Sequence, residues 1–185
     1  MRSKGAFVFF MAAIIFHATM AMAATGSISG HLSDSNGNPI AGYSVTAYAT
    51  KQQGGSNPIA STQSNGSGDF TLSNVPEGSV YLQSAGASAA KNYQWTYWDG
   101  STGTTNYNNA VAIPLAGGGQ VTGINMTLLA GGTVVATFSD AQGNPITGMS
   151  LLLYPGAACN TQNLPSYPST QGTNQVTAYG VPPGT

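Results

Sequence analysis

Ser33-Asp34-Ser35-Asn36-Gly37-Asn38-Pro39-Ile40-Ala41-Gly42 returns 106 residues later as Ser139-Asp140-Ala141-Gln142-Gly143-Asn144-Pro145-Ile146-Thr147-Gly148. Asp, the two Gly and Pro persist, while Asn36 becomes Gln142. Glycine supplies positive φ, and Asp and Asn side chains hydrogen-bond the backbone just ahead of them. The kept residues are turn residues rather than a ligand set. The stretch reads as the first hairpin connection of a unit that occurs twice.

The same offset holds on both sides of the turn. Residues 132–138 overlie 26–32, 149–154 overlie 43–48, 174–178 overlie 68–72, and 181–184 overlie 75–78. A repeat this regular predicts two homologous units with no net insertion between them. The segments flanking the turns alternate apolar and polar residues, the period of a half-buried strand. Ser27-Ile28-Ser29-Gly30-His31-Leu32, Asp69-Phe70-Thr71-Leu72, Ser79-Val80-Tyr81-Leu82 and residues 120–128 are the clearest cases. Asn65-Gly66-Ser67-Gly68 and Val75-Pro76-Glu77-Gly78 read as further turns. Short strands between turn signals predict an all-β sandwich or barrel, with Ile28, Val45, Phe70, Leu72 and Ile124 facing inward.

The residues also match a known family. The pattern Gly30-x-x-x-Asp34-x-x-Gly37-x-Pro39-Ile40-x-Gly42-x-x-Val45, then Gly66-x-Gly68-x-Phe70-x-Leu72, then Val75-Pro76-x-Gly78, resembles a carboxypeptidase regulatory-like domain. The resemblance implies a transthyretin-like (prealbumin-like, Ig-like) seven-stranded β-sandwich among the carbohydrate-binding-like folds, present in tandem. It also implies an accessory role, beside enzymes, receptors or adhesive stalks, and carries no catalytic residues over. Ala136 departs from the pattern by replacing Gly30, and Ser79-Val80-Tyr81 departs where an aromatic commonly follows the Pro-x-Gly turn more directly. The expected organisation is a signal peptide over 1–23, one unit over 24–130, and an incomplete second copy over 131–185. A strand expected to open after Val181-Pro182-Pro183-Gly184 lies past Thr185, so the sequence is read as a fragment of a longer product.

Composition points to an exported protein. Charged residues are 5 % of the chain and hydrophobic residues 41 %. Arg2 and Lys4 precede an apolar run over 6–16, and Ala21-Met22-Ala23 is a small-x-small cleavage site. That run is too short for a membrane span. Past the leader, Lys51 and Lys91 face Asp34, Asp69, Glu77, Asp99 and Asp140, two bases against five acids and a net −3. Nucleic-acid binding needs clustered Lys and Arg and is excluded. The single Cys159 has no internal partner, and its expected partner lies outside this sequence.

Chemistry is sparsely represented. The exported part holds one His, His31, and one Glu, Glu77. Hydrolysis needs a base or an activated nucleophile within hydrogen-bond reach, and His31 reads as a solvated strand residue. Zinc needs three or four Cys, His or carboxylate ligands, a set the sequence lacks. Asp34-x-Asn36-x-Asn38 resembles the start of a calcium loop, but no Glu follows at the twelfth position and a self-capping turn explains the same residues; Asp99-Gly100-Ser101 is similar. Asn65-Gly66-Ser67 and Asn125-Met126-Thr127 fit the glycosylation acceptor pattern. No catalytic residue, cofactor or metal is expected.

Tyr93, Trp95 and Tyr97 are the one candidate binding set. Side chains alternate across a strand, so the three rings would share a face and form a platform for a glycan. The competing reading has them filling the core, since aromatics dominate burial. The function expected is a non-catalytic secreted or cell-surface module: structural, spacer or interaction. The alternative is a carbohydrate-binding accessory module of an exported enzyme. Partners are a glycan or another extracellular protein.

Overall fold

The computed structural model of the chain describes residues 24–51, 57–151, 153 and 173–183. They form ten strands: β1 (Thr25–Asp34), β2 (Ser44–Tyr48), β3 (Ala60–Gln63), β4 (Asp69–Pro76), β5 (Gly78–Ala85), β6 (Thr96–Tyr97), β7 (Ile113–Leu115), β8 (Gln120–Leu128), β9 (Gly132–Thr137) and β10 (Gln175–Val181). A 3₁₀ turn at Tyr107–Asn109 is the only helical element among the described residues, and no helix among them is long and apolar enough to cross a membrane. The expected all-β class is the observed one.

One sheet has the order β4-β1-β8. β1 and β4 are antiparallel, with Ile28 opposite Leu72 and Gly30 opposite Phe70. β1 and β8, the first and last strands of this unit, are parallel, from Ser27 opposite Gln120 to Asp34 opposite Leu128. Register shifts between Gly26 and Ile28 on one side and Ile28 and Gly30 on the other bend β1. Gly30 sits where β8 comes closest: a Cβ there would lie 1.8 Å from the Ile124 carbonyl oxygen. No residue with a side chain fits that approach.

The second sheet runs β3-β2-β5-β6, with β7 also pairing β5. Val75-Pro76-Glu77-Gly78, expected as a turn, is a corner. β4 ends at Pro76 in one sheet and β5 begins at Gly78 in the other. The apolar residues of both sheets meet in one cluster containing Ile28, Leu32, Val45, Phe70, Leu72, Val80, Leu82, Ile124, Met126 and Leu128, none more than 5 % exposed. All five residues expected to face inward are in it. The alternation predicted from β4 is seen directly, with Phe70, Leu72 and Val75 buried and Asp69, Thr71 and Ser73 exposed. Each such aliphatic or aromatic side chain stabilises the fold by about 1.5–3 kcal/mol relative to exposure.

β9 and β10 form a separate two-stranded antiparallel sheet. Its register is that of β1 and β4 moved by the repeat offset. Thr137 faces Gln175 as His31 faces Asp69, and Val134 faces Ala178 as Ile28 faces Leu72. Val176 and Ala178 are buried like their counterparts Phe70 and Leu72. The strand expected over 149–154 is not formed at Met149, Ser150, Leu151 or Leu153, and the rest of it lies outside the described residues. In the first unit the matching β2 is held between β3 and β5, and no such neighbours flank Met149 among the described residues. The leader over 1–23 and Cys159 also lie outside them.

Candidate functional site

The repeated turn has the same hydrogen bonds in both copies. Asp34 Oδ1 accepts from the backbone N–H of Asn36 at 2.8 Å and Asn38 at 2.9 Å, and Oδ2 accepts from Asn38 Nδ2 at 3.0 Å. Asp140 Oδ1 accepts from Gln142 and Asn144 N–H at 2.9 and 2.7 Å, and Oδ2 from Asn144 Nδ2 at 2.8 Å. In each, the third residue on is a glycine at positive φ, Gly37 or Gly143, whose N–H donates to the Asp carbonyl. The Asn38 side-chain amide first, then the backbone N–H groups, hold the Asp34 carboxyl below its ordinary range; Asn144 does the same for Asp140. These oxygens are engaged by the turn itself. Asn65 builds a third copy, accepting from Ser67 and Asp69 N–H at 2.9 Å each. Asp99 caps its loop through Ser101 and Gly103 N–H at 2.9 Å each.

The three candidate rings do not form one exposed row, and Tyr97 lies where the competing, core reading puts it. Only Thr96 and Tyr97 of this segment are ladder residues, paired with Ser84 and Gln83 of β5. Tyr97 is 2 % exposed. The excursion after β6 folds back on it: Tyr97 and Thr104 exchange backbone hydrogen bonds at 2.8 Å. The Tyr107 ring stands edge-on to Tyr97, centroids 6.5 Å apart. Burial first, then Tyr48 and Tyr107, push the Tyr97 hydroxyl well up. Tyr93 turns the other way. Its ring meets Tyr43 in a T-shape at 5.8 Å, and its carbonyl accepts from the Tyr43 hydroxyl at 3.0 Å. Trp95 is half-buried. Tyr97 thus has no face open to a sugar, and Tyr93 serves packing.

His31 has a partner that the sequence did not disclose. Its Nδ1 lies 2.9 Å from Asp69 Oδ1, on the facing position of β4, with the two side chains 35 % and 58 % exposed. Strand pairing would have found it, since the two turns fix how β1 and β4 align. The matching pair in the repeat is Thr137 and Gln175. An exposed side-chain contact of this kind is worth at most about 1 kcal/mol. Among the described residues no three His, Cys, Asp or Glu gather as a metal site. A shallow cleft of about 300 Å³ beside β6 and β8 is lined by Thr96, Thr102, Thr104, Thr127 and Leu129, and holds no charged group.

The sequence profile described as Carboxypeptidase regulatory-like domain matches residues 27–128, more than half of the chain. The chain belongs to this family. The carboxypeptidase regulatory-like match starts inside β1 and ends with β8, the two strands that close the first unit. No curated protein matches the chain. Among solved structures, it is similar to a chain of a type II cohesin–X-dockerin complex from Acetivibrio cellulolyticus, at 16 % identity over 57 % of this chain and 58 % of that one, TM-score 0.35. It is similar to the Bacillus anthracis TIE protein, at 11 % identity over 84 % and 26 %, TM-score 0.39. It is also similar to a streptococcal ancillary pilin, at 13 % identity over 88 % and 51 %, TM-score 0.37. The chain spans less than two thirds of each of these.

Proposed function

We propose that the chain is an exported, non-catalytic β-sandwich module of the carboxypeptidase regulatory-like family, acting as a structural spacer at or beyond the cell surface. The observation that carries this reading is the parallel pairing of β1 with β8. Parallel first and last strands bring the chain in at one end of the unit and let it out at the other. Units with opposed ends join head to tail with short connections and build length. The three residues Leu129, Ala130 and Gly131 separate β8 from β9, so the next unit starts at once. The shared register of β1–β4 and β9–β10, and the matching Asp34 and Asp140 turns, support a second copy of the unit over 131–185.

The low charge, the basic n-region and the Ala21-Met22-Ala23 site support export with cleavage near Ala23. The test is secretion of the full chain, followed by N-terminal sequencing and small-angle scattering of the product. The expected product begins at Ala24 and has a radius of gyration clearly above the ~15 Å of a compact particle of that length. Retention inside the cell sinks the export reading. A radius near ~15 Å sinks the spacer reading.

A further inference from the structure

We propose that the β1–β8 ladder is a mechanical clamp, so that the first unit resists tension applied through its two ends. The proposal deepens the spacer reading and rests on it for the source of the load, but its physical basis is separate. Pulling residues before β1 and after β8 apart draws two parallel strands past one another along their length. Every hydrogen bond between Ser27–Gln120 and Asp34–Leu128 then takes load together. Had the strands been antiparallel, the same pull would open the ladder one pair at a time. The orientation alone decides between shear and peeling.

Three features of this ladder suit it to the role. Its inner face is dry: Ile28, Leu32, Ile124, Met126 and Leu128 are all at most 5 % exposed. Water therefore cannot replace the ladder bonds from that side as they stretch. Gly30 lets the two backbones approach at the middle, against Ile124. Both strands are also held from their far sides. β4 pairs β1, and Thr127 N–H donates to the Thr102 carbonyl at 2.8 Å beyond β8. At the start of the ladder, Ser27 N–H donates to the Gly119 carbonyl at 3.0 Å. The load enters a strand pair that is held from both flanks.

Forced unfolding is governed by the unfolding rate under load rather than by equilibrium stability, so the test compares two directions of pull on the same fold. Both variants carry Cys159→Ser in the full chain. In the first, handles are attached at Ala24→Cys and Leu129→Cys, which loads β1 against β8 in shear. In the second, they are attached at Asn36→Cys and Leu129→Cys, at the same end of the two strands, which peels them apart. Ala24, Asn36 and Leu129 are all exposed, so neither pair of handles disturbs the core, and a thermal melt of each variant checks that the fold is intact before pulling.

The expected result is an unfolding force at least about twofold higher in the first geometry, with a contour gain of roughly 330 Å in each. Equal forces, or a higher force in the peeling geometry, overturn the clamp. Either outcome is independent of where the protein is found in the cell and of its shape in solution, so the spacer reading stands or falls on its own measurements.

Discussion

Two buried tyrosines give opposite expectations. Tyr43 is 1 % exposed and donates its hydroxyl to the Tyr93 carbonyl at 3.0 Å. Tyr97 is 2 % exposed, and its hydroxyl has no hydrogen-bond partner among the described residues. Removing one member of a hydrogen bond costs about 1 kcal/mol, whereas a buried polar group without a partner itself costs roughly 1–3 kcal/mol. Tyr43→Phe therefore lowers the denaturation midpoint, and Tyr97→Phe leaves it unchanged or raises it. Equal losses from the two substitutions would contradict this assignment. Gly30 gives the third residue-scale expectation. A methyl group at that position meets the Ile124 carbonyl, so Gly30→Ala should destabilise by roughly 3 kcal/mol in chemical denaturation. Gly30 was visible in the sequence as part of a family pattern, but its reason was not. The strand it touches lies more than ninety residues away, and no local signal announces that approach. The sequence leaves Tyr97 between two readings, open platform and core, for the same reason. Alternation predicts which residues share a face of a strand, but not whether a later loop will cover it.

Among the elements, the Asp34 and Asn65 turns were legible as turns but not as hairpins, since each carries the chain from one sheet to the other, and Val75-Pro76-Glu77-Gly78 is a corner rather than a turn. A turn is set by neighbours a few residues apart, so Asp34, Asn38 and Gly37 carry their own geometry wherever they occur. The strand faces were legible too, because the period-two pattern is local. Pairing was not, and the His31–Asp69 contact follows from pairing. The turns also set a pH dependence. The Asp34 and Asp140 carboxyls are held below their ordinary range, by the Asn38 and Asn144 amides first. Their native forms bind protons less readily than the unfolded chain, whose Asp titrates near ~3.9. The stabilisation is present above that pH and is lost as pH falls through the lower native value. Stability should be flat through neutral pH and decline below about pH 4. Asn65 holds the same turn with a neutral amide, so Asp34→Asn should keep the fold and flatten part of that acid decline. Denaturation midpoints measured across pH 2–7 check this; an unchanged acid limb would remove Asp34 from the account.

At the scale of the whole chain, the repeat predicted two units but not the contacts that the β9–β10 pair makes with the segment before β6. The junction is hydrogen-bonded along its length. Gln94, 4 % exposed, donates its backbone N–H to the Leu129 carbonyl and its Nε2 to the Ala130 carbonyl, both at 2.9 Å. Asn92 accepts from Gly131 N–H at 2.8 Å, donates Nδ2 to Thr133 Oγ1 at 3.0 Å, and accepts from Gly180 N–H through Oδ1. One side chain thus holds both strands of the β9–β10 pair. Gly131 and Gly180 pack backbone to backbone, where a Cβ on Gly131 would lie 2.4 Å from the Gly180 Cα. The proposed spacer transmits direction only through stiff joints, and the Asn92 side chain is the group that bonds both β9 and β10 here. Asn92→Ala removes the Thr133 and Gly180 contacts and keeps the backbone bond to Gly131. Its cost in global stability should be small, about 1–2 kcal/mol. Its effect on orientation should be large. Nitrogen-15 relaxation on the native chain should give β1–β8 and β9–β10 one common tumbling time. In Asn92→Ala the β9–β10 amides should tumble faster than those of the first unit. A common tumbling time in the variant would mean that Gln94 and the glycine contact hold the joint without Asn92.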